Sequence, residues 1–369
     1  MKVSILTLPL RVNFGGILQC YALQTVLERM GHEVSVLNTE FENVSCKVRV
    51  GLFVKRLVKT ILRKESRFYG WKTEMEITRR YTRAFVDKYI HIRNISDLSL
   101  LKDGEYDVIV VGSDQIWRPL YYRPIVDAYL KFAKDWTLTK RVAYAASFGV
   151  DEWEYTPKET EECASLLKLF DAVSVRESSG IDLCRKNLGR DVVQVLDPTL
   201  LLTKEDYLSL ISQPNVKRRK GGLFYYFLDK APEKLHLAKK IAEERELVSY
   251  EANNPDVDKS FLHFEKRIQM PLELWLANLL DSSFVVTDSF HGCVFSIIFN
   301  KPFVVVGNEE RGIARLKSLL SMFGLDNRFI SLSNMFDIQQ VKDIEWDKVN
   351  RILDEKRKGS LAFLRNIDN

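Results

Sequence analysis

The sequence predicts an α/β protein of two lobes, each built on a parallel sheet. Short apolar runs of the kind buried in parallel sheets (residues 2–8, 107–111, 141–146 and 284–287) alternate with amphipathic segments of helical period. The alternation breaks at a polar, charged, glycine-ended stretch, 213–222, and then resumes. The length, 369 residues, suits about two domains of ordinary size. The expected division is a first Rossmann-like lobe over 1–200, a second over 201–345, and a C-terminal helix over 346–369 that crosses back onto the first.

Composition bounds the function classes. Apolar residues make up 46% and charged residues 28%, as in a soluble protein with real cores. A net charge of +5 is too small to argue for nucleic acid, but suits an anionic small substrate or an anionic membrane surface. The five cysteines (Cys20, Cys46, Cys163, Cys184, Cys293) are scattered, with no CxxC and no zinc-like spacing. That pattern predicts a reducing, cytoplasmic setting, no disulfide framework and no metal site. The opening run closes at Arg11 without a small-residue cleavage site, and reads as a first strand rather than a signal peptide. No apolar run approaches the roughly 20 residues that span a bilayer.

The first lobe opens with a strand over 2–8, a loop over 9–16, a helix over 17–30 stopped by Gly31, and a strand over 33–37. The paired glycines let a ligand approach the backbone, and the helix N-terminus offers amides to an anion. Asn13, Gly15, Gly16 and Gln19 are therefore candidate substrate contacts, although the pattern is neither GxGxxG nor a P-loop. Lys47–Lys72 carries nine Lys/Arg against one acid, with apolar residues at near-helical spacing. Such a segment could lie on an anionic membrane, but charge runs are usually solvated, which favours an ordinary helix with a basic face.

A helix over 74–89 precedes the strand 107–111, which ends in Gly112-Ser113-Asp114-Gln115. This polar corner offers donors and acceptors to a hydroxyl-rich ligand, or caps a helix. A strand over 141–146 leads to Ser147, and 157–170 reads as helix. A strand over 172–175 then leads to Arg176 and Glu177, ahead of a helix over 181–187. Arg176 can fork onto phosphate or carboxylate, or pair with Glu177 or another acid. A strand over 192–195 runs into Leu196-Asp197-Pro198-Thr199, and Thr203 caps a helix over 203–211.

In the second lobe, strands are expected over 223–228, 247–250, 284–287 and 304–306. Helices are expected over 231–244, 271–280, 293–299 and 313–323, with a long amphipathic one over 346–363. The corner Asp288-Ser289-Phe290-His291-Gly292 stands at a strand's carboxyl end, where ligands collect in parallel sheets. There His291 is equipped for anion binding and proton transfer, or it caps the helix. His32, His91, His236 and His263 fall at no such corner. Cys293 reads as a small core residue rather than a nucleophile.

Six stretches, in order, resemble one family, the polysaccharide pyruvyl transferases: NFGGILQCYALQ (13–24), YDVIVVGSDQIW (106–117), YAASFG (144–149), SVRESS (174–179), LDPTLLL (196–202) and VVTDSFHGCVFSIIFNKPFVVV (285–306). The resemblance implies a fold similar to the GT-B glycosyltransferases. It also implies transfer of a pyruvyl group from phosphoenolpyruvate to two hydroxyls of a sugar, forming a cyclic ketal and releasing phosphate. No cofactor is implied beyond that donor, and the acceptor is a capsular or exopolysaccharide precursor such as a lipid-linked oligosaccharide. Arg176 would help hold the donor's anionic groups, and His291 would be the acid/base. Ser113, Asp114, Gln115, Ser147, Asp288 and Ser289 join as expected substrate contacts, with Asp288 orienting His291 or meeting a sugar hydroxyl.

In a better-studied branch of that family, Arg-Leu precedes the histidine; here Ser289-Phe290 does, so Arg311 or Arg315 is the expected source of the missing charge. A membrane contact through Lys47–Lys72 would place the protein at the inner face of the membrane. Two other readings stand: a GT-B glycosyltransferase using a sugar nucleotide, whose nucleotide-binding pair is not identifiable in the second lobe, and a non-enzymatic glycan-binding member of the same family.

Overall fold

The structure is a computed structural model that describes residues 1–39, 76–211, 220–229, 231–251, 253–254, 256–257, 264–307, 312–332 and 342–368. The basic segment Lys47–Lys72, most of 213–222, and Cys46, His263 and Arg311 lie outside the described residues.

The first sheet has seven parallel strands in the order β3-β2-β1-β4-β5-β6-β7. They are β1 (Lys2–Leu6), β2 (Glu33–Asn38), β3 (Ile92–Asn94), β4 (Val108–Gly112), β5 (Lys140–Ala146), β6 (Ala172–Val175) and β7 (Val193–Gln194). The second has five parallel strands in the order β12-β11-β10-β8-β9. They are β8 (Leu223–Tyr226), β9 (Ser249–Glu251), β10 (Phe284–Thr287), β11 (Phe303–Val306) and β12 (Phe329–Ile330). β4, β10 and β11 are apolar throughout or nearly so because both faces of each sheet are covered, and every residue in them is buried. The architecture is α/β with two Rossmann-like lobes, as the alternation predicts. The strand order reverses between β1 and β4 in one sheet and between β8 and β10 in the other, and crevices at such reversals are where open α/β sheets bind ligands.

One apolar core runs through both lobes. It joins β1 and the helix α1 (Phe14–Arg29) to the second-lobe helices over Leu272–Asp281, Phe290–Ile298 and Ala314–Met322. Phe14 carries much of the join, with its ring 5.6 Å from Trp275 and 6.4 Å from Tyr226. Separate cores fill the outer faces of the first and second sheets. The C-terminal helix, Trp346–Arg365, crosses back onto the first lobe as expected. Its Ser360 Oγ accepts from Leu196 N at 3.0 Å, Arg357 donates to Leu200 O at 2.9 Å, and the Phe363 ring packs at a tilt against Tyr144. Among the described residues no helix is long and apolar enough to cross a membrane.

Two departures from the sequence reading shape the site. Helix α1 starts at Phe14, so Gly15 and Gly16 lie in its first turn rather than in a loop. The helix expected from Cys293 starts at Phe290, which puts His291 in its first turn. In both cases a side chain just upstream, Asn13 or Ser289, caps the helix earlier than hydrophobic periodicity alone indicates.

Candidate functional site

The polar corners after β1, β4, β6, β7 and β10 converge on the seam between the lobes. Gln19 locks the first two together. Its amide donates to Thr7 Oγ1 at 3.0 Å and Gly16 O at 2.9 Å, and accepts from Ser113 N at 3.1 Å. Its polar atoms are thus engaged inside the protein. Asn13 accepts from Gly16 N at 3.2 Å.

Gly15 meets the other lobe directly, because a Cβ built there would fall 2.0 Å from His291 Nδ1. Any larger residue would collide with the imidazole. Gly16 is less confined, its would-be Cβ 3.5 Å from Asp114 Oδ2.

Arg176 follows β6, and its side chain is almost wholly buried. It donates to Asp197 Oδ2 at 2.8 Å and to Asp114 Oδ1 at 3.3 Å, with Glu177 Oε2 at 4.0 Å. Burial alone would lower the Arg176 pKa, but these three carboxylates outweigh it and raise it. Glu177 in turn accepts from Ser147 Oγ at 3.0 Å, Phe148 N at 2.8 Å and Gly149 N at 3.2 Å. Ser113 Oγ donates to Asp197 Oδ2 at 3.4 Å.

Asp197 is the carboxylate that meets His291. Its Oδ2 lies 3.6 Å from His291 Nε2, longer than a hydrogen bond but within strong charge reach. Its Oδ1 accepts from Thr199 Oγ1 at 2.6 Å and Thr199 N at 3.0 Å. Burial would raise the Asp197 carboxyl, but His291, Arg176 and Thr199 together hold it well below the usual carboxylate range. Asp288, expected as the partner of His291 or of a sugar hydroxyl, instead accepts from Leu228 N at 2.7 Å, Asp229 N at 3.2 Å and the buried Lys234 Nζ at 2.8 Å. Those bonds pin the β8 loop to the β10 corner, across the second sheet's reversal point.

Ser289 Oγ accepts from Gly292 N at 3.3 Å, so this side chain faces its own helix. Phe290 beside it packs against two guanidiniums: Arg176 at 4.4 Å from the ring centroid and Arg315 at 5.7 Å. Arg315 comes from the first turn of the helix Ala314–Met322. Burial, and then the charge of Arg176, push its pKa down to about 10. Cys293 is buried, which raises its thiol pKa and makes it a poor nucleophile.

Four polar atoms of this cluster are buried with no hydrogen-bond partner among the described residues: His291 Nε2, Arg176 Nε, Glu177 Oε2 and Gln115 Oε1. Buried unsatisfied groups are rare in folded proteins, and their concentration at one place marks a site. Two further contacts hold the lobes shut around it. Ser318 Oγ accepts from Ser178 N at 2.9 Å and Gln194 Nε2 at 3.0 Å, and a Cβ on Gly312 would fall 1.9 Å from Gly149 O.

The structure thus brings together His291, Arg176, Asp114, Gln115, Ser113, Ser147, Gly15 and Arg315 from the expected set. It adds Asp197 and Phe290, which were not among the expected site residues, and Glu177, which the sequence offered only as an alternative partner of Arg176. Asp197 stands at a strand end inside a quoted stretch, and that position was the available signal. Elsewhere, His91 pairs with Glu28 on the surface, and His236 lines a shallow surface hollow with Lys240. Among the described residues no group of three or more His, Cys, Asp or Glu is placed to hold a metal ion.

Among solved structures, the chain is similar to UDP-GlcNAc 2-epimerase from Methanocaldococcus jannaschii, with a TM-score of 0.48 and 14% identity over 96% of this chain and 92% of that one. It is similar to a glycosyltransferase from Rickettsia africae, with a TM-score of 0.45 and 11% identity over 100% and 97%. UDP-N-acetylglucosamine 2-epimerase from Rickettsia bellii gives a TM-score of 0.43 and 11% identity over 100% and 97%. No curated protein sequence matches. The family model for polysaccharide pyruvyl transferase matches residues 13–310, a span that holds Arg176, Asp197 and His291 but neither Thr7 nor Arg315. With that match over most of its length, the chain belongs to the polysaccharide pyruvyl transferase family.

Proposed function

We propose that this chain transfers the pyruvyl group of phosphoenolpyruvate to two hydroxyls of a sugar in a capsular or exopolysaccharide precursor. The observation that supports this most is the set of unsatisfied polar atoms around His291 and Arg176 at the interlobe seam. Phosphoenolpyruvate carries a phosphate and a carboxylate, which need cations. Arg176 and Arg315 supply them, one from each lobe.

The chemistry also needs three proton transfers, one to carbon and one from each hydroxyl. His291 gives a proton to the donor's methylene carbon, which becomes a methyl group and leaves an oxocarbenium-like centre on the adjacent carbon. The first sugar hydroxyl attacks that carbon and returns its proton to His291. Phosphate leaves with the bridging oxygen, and the second hydroxyl closes the ketal, its proton going to the departing phosphate. Asp197, held ionised, stabilises the imidazolium that starts the cycle and is regenerated when the first hydroxyl gives up its proton. One histidine can alternate in this way near neutral pH. A lipid-linked acceptor at the inner face of the membrane, in the cytoplasm, suits the basic composition of Lys47–Lys72.

Phosphate release is the direct assay. The wild-type protein should release phosphate from phosphoenolpyruvate only when a diol-bearing sugar acceptor is present. His291→Ala should stay folded and lose about 100- to 10,000-fold in rate, the usual worth of general acid–base catalysis. Unchanged turnover in that variant would sink the assignment of His291, and failure of the wild-type protein to bind phosphoenolpyruvate would sink the donor.

A further inference from the structure

We infer that Phe290 is a positioning residue that holds the guanidiniums of Arg176 and Arg315, one from each lobe, as a two-point clamp for a donor bearing two anionic groups. The inference rests on the proposed donor reading and adds to it the device that sets the donor's grip. Ser289 stands where the related branch carries arginine, and its buried hydroxyl caps its own helix. Position 289 therefore contributes no cation. Arg315 reaches the same place from a different helix, and its guanidinium lies over the ring that Arg176 also approaches.

Two guanidiniums so close repel each other. An aromatic ring offers its negative face to each and offsets that repulsion, most strongly when buried. Phe290 is 5% exposed. Leucine, the residue of the related branch, has the bulk but no such face. On the other side Asp197 and Asp114 hold Arg176, so its orientation is fixed from two directions. Position 289 thus supplies a helix cap rather than a cation, and the ring at 290 positions the guanidinium of Arg315.

Calorimetric titration of the whole protein tests this with two probes, phosphoenolpyruvate and inorganic phosphate. Phe290→Leu should weaken phosphoenolpyruvate binding roughly 3- to 30-fold, the span of a desolvated cation–π contact. It should weaken phosphate alone by less, because one anionic group needs only one arm. Phe290→Tyr keeps the ring and should restore binding to within about 2-fold of wild type. In turnover, KM for the donor should rise more than kcat falls. If Phe290→Leu loses its thermal transition, Arg315→Lys decides: an ammonium cannot lie flat on the ring, and the same weakening is expected. Wild-type binding of phosphoenolpyruvate together with unchanged binding in Phe290→Leu or Arg315→Lys, or equal losses in the Leu and Tyr variants, would overturn the clamp alone. No binding by the wild type would overturn the donor reading and the clamp with it.

Discussion

His291 Nε2 of the second lobe lies 3.6 Å from Asp197 Oδ2 of the first. The histidine and its carboxylate therefore meet only while the lobes are together. The same Asp197 oxygen accepts from Arg176 at 2.8 Å, so one atom ties the imidazole to the cation that would hold the donor. Removing this charge should be felt in both chemistry and stability.

Asp197→Asn keeps the shape and deletes the charge. Turnover should fall about 100- to 10,000-fold, because the imidazolium loses its counter-charge. Stability should fall by about 3–5 kcal/mol at neutral pH, as Arg176 loses a buried partner. The pH dependence has a fixed sign. Asp197 has its folded pKa held below the unfolded value, so its stabilisation is present above the unfolded pKa of about 3.9 and disappears as pH falls through the folded value. Urea denaturation should show a constant gap between wild type and variant from about pH 7 to pH 5, narrowing below about pH 4. A gap that widened in acid would contradict the assigned direction.

Gly15→Ala and Gly16→Ala form a matched pair. The first places a methyl group 2.0 Å from His291 Nδ1, and the second only 3.5 Å from Asp114 Oδ2. Overpacking of this kind costs about 1–3 kcal/mol, and in Gly15→Ala the ring must also move. Turnover in Gly15→Ala should drop by at least about 100-fold, as expected when a catalytic group is displaced by an ångström or so. Gly16→Ala should keep most of its activity. Equal activities in the two variants would show that the seam relaxes freely at Gly15.

Lys234→Met tests the anchor beneath the His291 corner. Lys234 is buried and bonds Asp288 at 2.8 Å, and that carboxylate also receives Leu228 N and Asp229 N. Removing the cation takes a buried charged partner from the Asp288 carboxylate, at a cost of about 3–5 kcal/mol. Urea denaturation measures it. A loss under about 1 kcal/mol would mean that the backbone amides suffice.

Much of the fold was legible because parallel strands buried on both faces are written as continuous apolar runs. β6 and β10 fall at their expected bounds, and most other strands within two residues. The strands that went unread, β3 and β12, are three and two residues long, too short to show a period. Strand-end corners were legible, and the cluster at the seam draws His291, Arg176 and Ser113 from them. Partners were not. Asp288 shares a corner of the chain with His291 yet bonds Lys234, whereas Asp197, from the other sheet, meets the imidazole. Pairing across a seam depends on how two sheets dock, and no local pattern encodes that.

Ser289→Arg restores the arginine of the related branch, and the structure predicts harm rather than gain. The substitution removes the hydroxyl that accepts from Gly292 N, a cap worth about 0.5–2 kcal/mol. It also buries a third guanidinium near Arg176 and Arg315, where Arg315 is already pushed down to about 10. Burying a further like charge there should cost more than the cap alone, so a total loss above about 2 kcal/mol is expected in urea denaturation. If the new cation and Arg315 compete for one place, deleting Arg315 should relieve part of the cost. The double variant Ser289→Arg/Arg315→Gln should then be more stable than the sum of the single effects by at least about 0.5 kcal/mol, the lower end for coupled neighbours. Strict additivity would place the two positions in separate environments and would contradict the view that Arg315 stands in for the absent arginine.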